Sequence, residues 1–410
     1  MSTRRHAAPD GLERFLSADQ RASIRAPISE ARTLPRTAFT AQDFFDLEVE
    51  RIFRRNWMAL CFADALPNRG DVVPLELFGM PLLALRGDDA QVRVFHNVCP
   101  YDGCLVSLDP QERARELVVP YHGWRYDLRG KLRAIPYWDG NETPDLRSLG
   151  GRDGDLAPVR SATQLGIVFI NLDGNAGTID AYLAPLRNLL SDLRLDELVA
   201  VEDDDGKLLR EGRTIRANWK TYLENAAINI LHEAFTHGLY GRSVEVPRVR
   251  DGTKTHFAHL DGVLMGLGYE EKDVLQTYPP IPLPHIGRDP ARPPQKGYFL
   301  TLYPNLVVPV MNAALRTNIC LPQSPGLTRI LHCGWFHPDA LADPQFETLR
   351  TSLRDTFHEA YREDGRVIEA VQRGRRSPVS GQHFYAPFWD EQHHHFNNLI
   401  LDDLEASRAE

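Results

Sequence analysis

The chain has 410 residues, 42% of them apolar and 25% charged, enough for one large or two medium domains with real cores and with no biased tract. Its net charge of −9 argues against nucleic acid or an anionic membrane as partner, and the Arg373 to Arg376 cluster reads as solvated surface. No run of about 18 apolar residues occurs, and the polar N-terminus from Met1 to His6 has no signal-peptide core. Five irregularly spaced cysteines fit a reducing cytoplasm and define no disulfide framework.

Helical fragments occupy the first forty residues, and Thr40 is placed to cap a helix opening on Phe44, Phe45 and Leu47. From Asn56 to Trp138 the pattern changes to short strands punctuated by Gly and Pro, among them Asp71–Leu77, Leu82–Arg86 and Val92–Phe95. Asp127 to Lys131 has the composition of a hairpin turn. Leu165 to Leu172 predicts a buried strand, Ile179 to Leu195 a helix, and Asn218 to His237 a second helix. Leu306 to Met311 reads as a strand in which Pro309 suggests an edge or a bulge. Thr328 to Trp335 is another strand, and Pro344 to Gln372 is helical, with Leu349, Leu353, Phe357 and Tyr361 at four-residue steps.

Two segments carry ligand-type residues within the β-rich region: Asn97-Val98-Cys99-Pro100-Tyr101-Asp102-Gly103, and Val119-Pro120-Tyr121-His122-Gly123-Trp124. They resemble the Rieske domain of ring-hydroxylating oxygenase alpha subunits, usually written Cys-x-His-x-Gly and Cys-Pro-Tyr-His-Gly-Trp. In that comparison Tyr101 replaces a histidine and Val119 a cysteine. A Rieske cluster uses two thiolates and two imidazoles. Cys99 and His122 supply one of each, so the sequence predicts that no 2Fe–2S cluster forms. Cys104 is the nearest spare thiol, and a zinc or iron site built from Cys99, Cys104 and His122 would lack a fourth ligand at any familiar spacing.

The second signature is Asn218-Trp219-Lys220 and Glu224-Asn225, followed by His232 and His237. Five residues on an unbroken helix separate two side chains widely in angle, so the helix must loosen for both imidazoles to reach one metal. The resemblance implies that they bind iron together with a carboxylate far downstream. The segment from Arg362 to Gly374 is similar to the family's Glu-Asp…Gln-Arg-Gly, which selects Asp364, with Glu363 as the alternative one residue away. Two imidazoles and one carboxylate are the donor set of non-haem Fe(II) oxygenases. The family's bridging aspartate, three residues before the first histidine, is Asn229 here. His393-His394-His395 falls in what resembles the family's closing helix and is read as structural.

The resemblance covers about residues 40 to 400. It implies an α+β fold, with a small all-β Rieske-like domain inserted before a helix-on-antiparallel-sheet (helix-grip, START-like) catalytic domain. The expected divisions are 1–40, 41–156 and 157–410. The expected activity is that of an Fe(II) oxygenase acting without its own cluster. It would dioxygenate or cleave an electron-rich aromatic substrate that supplies its own electrons. The alternative is a cluster-less structural or regulatory subunit beside a complete alpha subunit. The expected partners are dioxygen, a small aromatic substrate and other subunits, in a homotrimer or a hetero-oligomer. Asn225 and Asn229 are placed at the reaction centre, and Phe235, Met265, Met311 and Asn312 are candidates for the pocket wall.

Overall fold

The structure is a computed structural model that describes residues 11–201, 206–229, 231–238, 249–250, 253–270 and 281–406. The chain divides into two compact units, residues 55–176 and residues 1–54 with 177–410.

The 55–176 unit is all-β. Its antiparallel sheet runs in the order Met58–Phe62, Ile167–Asn171, Pro158–Gln164, Val92–His96, Met80–Arg86, Val72–Leu77. A second sheet is formed by Leu117–Val118, Arg125–Tyr126 and Leu132–Ala134. Leu83, Leu85, Phe95, Leu117, Trp124 and Tyr126 make the core. The Asp127 turn forms as expected, with the Gly130 N–H donating to the Asp127 carbonyl at 2.9 Å. Gly130 has φ +76, and a Cβ there would come within 2.5 Å of the Phe95 ring, so no other residue fits.

This unit begins and ends later than the 41–156 span read from sequence. Strands 158–164 and 167–171 pair with 92–96 and 58–62, which ties them to the β unit. Residues 42–48 belong with the other unit, because buried Glu48 receives the Lys220 ammonium and, at 3.0 Å, the Trp219 indole N–H. Burial pushes the Glu48 carboxyl up and the Lys220 amine down, each against the pull of its partner. Phe39, Phe44 and Trp219 surround the ammonium with ring faces at 5.0, 5.7 and 5.0 Å.

In the second unit an antiparallel sheet runs Val199–Val201, Leu327–Phe336, Leu315–Ser324, Leu306–Val310, Lys296–Leu302, Leu264–Glu270, His256–Asp261. Arg213–Ile215 also pairs with 327–336, Arg213 facing Ile330. The strand carrying Pro309 is interior, not an edge. Its pairing with 315–324 holds at 306, 307 and 310 and lapses at Val308 and Pro309, where proline offers no N–H to the ladder. Residues paired across antiparallel strands share a face, so Leu267, Phe299 and Pro309 form one row, with Asn318 and Ile330 on the same face further along.

Over that face lies the helix Phe346–Arg375, which turns Phe357, Tyr361 and Asp364 inward. Its lower end is fixed by Gln372, which donates to the Phe39 carbonyl at 2.9 Å and accepts from the Asn218 N–H at 3.1 Å. The helix Glu391–Glu405 holds the histidine triplet in structural contacts: His394 and His395 bond the carbonyls of Ile24 and Gly262 at 3.0 and 2.9 Å. His393 lies 3.2 Å from buried Glu224. Burial would raise the Glu224 carboxyl, but Arg375 and His393 outweigh it and hold it down at about 2. Among the described residues no helix is long and apolar enough to cross a membrane.

Candidate metal centre

The helix expected over 218–237 is broken, as the five-residue spacing requires. Asn218 caps a helical turn at Trp219–Leu223, its side chain accepting from the Lys220 N–H at 3.1 Å. The turn widens to a π-helix over Glu224–Ile228 and stops at Asn229, whose backbone is extended. A short helix, Glu233–Thr236, then separates His232 from His237. Through this break the two imidazoles face Asp364, with Nε2 to Asp364 Oδ1 distances of 3.6 Å from His232 and 3.5 Å from His237. Among the described residues this is the group of three or more potential ligands that converges on one point, the donor atoms lying within 4.8 Å of one another.

The outer nitrogens fix which atoms can bind a metal. His232 Nδ1 donates to the Asn229 carbonyl at 2.6 Å, and His237 Nδ1 to Glu363 Oε2 at 3.0 Å. A carbonyl and a carboxylate only accept, so each Nδ1 carries a proton, which leaves Nε2, the nitrogen facing the Asp364 oxygen, as the metal-binding atom of each ring. Three electron-rich atoms converging in this way fit a divalent cation of the Fe(II) class. Burial raises the Asp364 carboxyl, although both histidines and the 3.4 Å Asn225 amide contact oppose the shift. Burial would also raise Glu363, but the His237 bond and the Gly238 N–H hold it below the ordinary range.

Glu363 thus touches the far side of the imidazole and is a positioning residue for it. Glu363→Gln is expected to weaken iron binding roughly 10- to 100-fold, as loss of an outer partner does. Chelator competition checks this, and unchanged affinity would remove Glu363 from the site.

A cavity of about 230 Å3 opens over the three ligands. Of the residues expected in it, Asn225, Asn229, Met311 and Asn312 line it. Phe235 does not: it lies between the histidines on the outer side, 77% exposed. Met265 shares its strand face with Leu267 and Tyr269 but sits further along, fully buried in the core. Sequence reasoning missed Arg213, Tyr222, Phe357 and Tyr361, all in the wall. The helical spacing of Phe357 and Tyr361 identified their face but not what it covers. Asn229, at the bridging position, donates from Nδ2 to Asp390 Oδ1 and accepts from the Leu231 N–H, both at 3.0 Å.

In the β unit Cys99 is buried, its Sγ 3.6 Å from the Tyr126 hydroxyl. Val119 is buried in the same core and closes a turn by accepting from the Gly123 N–H at 3.0 Å. Tyr101 stacks on Trp124 at 5.2 Å and meets the His122 ring edge at 5.0 Å, while His122 Nδ1 bonds Asp102. Cys99, Cys104 and His122 form no three-ligand group among the described residues.

Residues 192–406 match the family model described as ring hydroxylating alpha subunit (catalytic domain), and residues 56–147 match the Rieske [2Fe-2S] domain. The chain is 30% identical to the carnitine monooxygenase oxygenase subunit of Escherichia coli over 351 residues, 85% of each chain. It is also 30% identical to the glycine betaine monooxygenase oxygenase subunit of Pseudomonas aeruginosa, over 47% of this chain and only 42% of that relative. In fold it superposes on a quaternary ammonium Rieske monooxygenase in complex with L-carnitine, with TM-score 0.70 and 20% identity, covering 93% of this chain and 98% of the other.

The Rieske match corrects the expectation that the 2Fe–2S cluster is absent: it points to a 2Fe–2S cluster plus a mononuclear iron. The expectation counted donors at four side chains, whereas the match rests on the whole stretch of strands and turns. With it falls the premise for a reaction in which the substrate supplies all the electrons. Of the four positions, Cys99 and His122 offer a thiol and an imidazole, Tyr101 a phenol and Val119 no donor, a set short of two thiolates and two imidazoles.

Proposed function

The chain belongs to the family of Rieske-type ring-hydroxylating oxygenase alpha subunits, and on that premise we propose that it is an iron-dependent oxygenase acting on a small organic molecule in the cavity above His232, His237 and Asp364. The observation that carries this reading is the convergence of two Nε2 lone pairs and one carboxylate oxygen on the floor of that cavity. Fe(II) held there on one face supplies open positions for dioxygen and substrate together.

The protein's own part is positioning. The Asn229 carbonyl and Glu363 fix both imidazole tautomers. Leu267, Phe299 and Met311 give the cavity an apolar wall that excludes water. Tyr222 adds a hydroxyl with no hydrogen-bond partner among the described residues. Burial pushes that phenol well above its ordinary range, so it keeps its proton and stands as a donor.

Within the reading, an aromatic substrate is favoured by the Tyr222, Tyr269, Phe299 and Tyr361 rings in the wall. A quaternary ammonium substrate is the second reading, favoured by the carnitine and glycine betaine relatives, since a cation also binds ring faces. The proposal includes assembly with other subunits, as a homotrimer or with a related alpha subunit.

The test is incorporation of isotopically labelled dioxygen by the iron-loaded protein supplied with NADH and a reductase. Benzoate, catechol, carnitine and glycine betaine serve as substrates. Labelled product from any of them is the expected result. Iron-loaded protein that labels none of them overturns the catalytic reading in favour of a non-catalytic subunit.

A further inference from the structure

We propose that the substrate of this site carries an anionic group, a carboxylate or sulfonate, that docks on Arg213. The inference rests on the reading of the cavity as a substrate site. The sheet register supplies the geometry. Arg213 faces Ile330, which shares its face with His332; Asn318 faces His332, and Arg316 faces Gly334 on the adjoining strand. Two guanidiniums therefore flank His332 on the face that the long helix covers. The Arg213 guanidinium lies 3.7 Å over the Tyr361 ring, and that of Arg316 lies 4.0 Å over Phe357 and 5.6 Å from Tyr361.

Neither guanidinium has a carboxylate partner among the described residues, and Arg316 Nε is buried with no hydrogen-bond partner. The acids nearby are already engaged. Glu369 holds Arg216 at 3.0 Å, Glu363 holds His237, and Asp364 faces the metal position. His332 adds no negative charge: its Nδ1 donates to Asn318 Oδ1 at 2.8 Å. Burial, reinforced by Arg213 and Arg316, keeps it neutral. The wall beside the iron position thus presents half-buried positive charge, and the carboxylate that Arg213 does act on, Asp364, is the one a metal would engage.

Of the two guanidiniums, Arg213 lines the main cavity, and Arg316 lies behind Phe357 in a smaller cavity on the other side of that ring. A guanidinium stacked on a ring keeps its N–H donors in its own plane, clear of the ring, where they match both oxygens of a carboxylate. An anion seated there neutralises the wall and places the remainder of the molecule against Leu267, Phe299 and Met311. A quaternary ammonium group, if present, must lie at the opposite end from Arg213.

Calorimetric titration of the iron-loaded protein at low salt tests this without requiring turnover. The probes are benzoate against benzamide, and glycine betaine against choline. Wild type is expected to prefer the carboxylate-bearing member of at least one pair by about tenfold or more, the worth of a charge-assisted pair. Arg213→Gln is expected to abolish the preference with iron content unchanged, and Arg213→Lys to keep part of it. Failure of both carboxylates to bind at millimolar concentration overturns the proposal. So does equal binding of the members that lack a carboxylate, or a preference that survives in Arg213→Gln. Carboxylate selectivity with no oxygenated product would instead refute the oxygenase reading alone, and turnover of substrates lacking a carboxylate, independent of Arg213, would refute this inference alone.

Discussion

Asp364→Ala is expected to cost more than a hundredfold in iron affinity, beyond the roughly 10- to 100-fold typical of an outer partner, and to reduce oxygen incorporation to the background. The reason is geometric. The Asp364 oxygen is the atom that both Nε2 lone pairs face at 3.5 and 3.6 Å, and its charge is what makes the trio a cation site. His232→Ala and His237→Ala should behave alike. The check is bound iron after chelator dialysis, measured beside the unfolding midpoint so that loss of metal is separated from loss of fold. Glu363 provides the control, because it approaches the Nδ1 side of His237. Iron retained by Asp364→Ala and lost from Glu363→Ala would move the third ligand by one residue.

Lys220→Met should destabilise the protein by about 3–5 kcal/mol, the usual penalty for stranding one member of a buried ion pair. Lys220 and Glu48 are both fully buried, and no water reaches the carboxylate that the variant would leave behind. Among the described residues the Trp219 indole would remain its one side-chain donor. Adding Glu48→Gln should recover much of the loss, because an amide is far cheaper to bury than a charge. Urea unfolding followed by tryptophan fluorescence reads both variants. A midpoint for Lys220→Met indistinguishable from wild type would show that the pair contributes nothing. The Asn-Trp-Lys word that marks the catalytic region in sequence is, on this account, scaffold. Asn218 caps a turn, Trp219 packs between Phe53 and Phe396 at 4.9 and 5.8 Å, and Lys220 anchors the segment 42–48.

His232, His237 and Asp364, which converge at the candidate site, were legible because each sits inside a distinctive local word and because the spacing of the two histidines forces a break that the structure shows at Asn229. The long helix was legible from its four-residue apolar steps and starts within two residues of the expected position. What stayed hidden depends on pairing between distant strands. Arg213 is one of many arginines in the sequence, and only its register against Ile330 places it at the cavity. Met265 had the correct face, but position along a strand relative to a helix crossing it is not encoded in alternation. Pro309 suggested an edge or a bulge, and the strand proves interior, accommodating it by a lapse in pairing with one neighbour at 308–309. The cofactor expectation failed for another reason, since it weighed four side chains where the domain's identity is carried by its whole length.

The widened turn at Glu224–Ile228 and the extended Asn229 give the site two mechanically different halves. Asp364 is built into an unbroken helix of 30 residues whose lower end is clamped by Gln372 and Arg375, so its backbone moves only with that helix. The imidazoles ride on a short arm beyond the break, hinged at Asn229 and latched by Glu363. Lifting that arm would break the His237–Glu363 bond, whereas displacing the Asp364 backbone would require moving the long helix. A metal bound there is therefore expected to exchange through local opening of the histidine arm and not through unfolding of the protein.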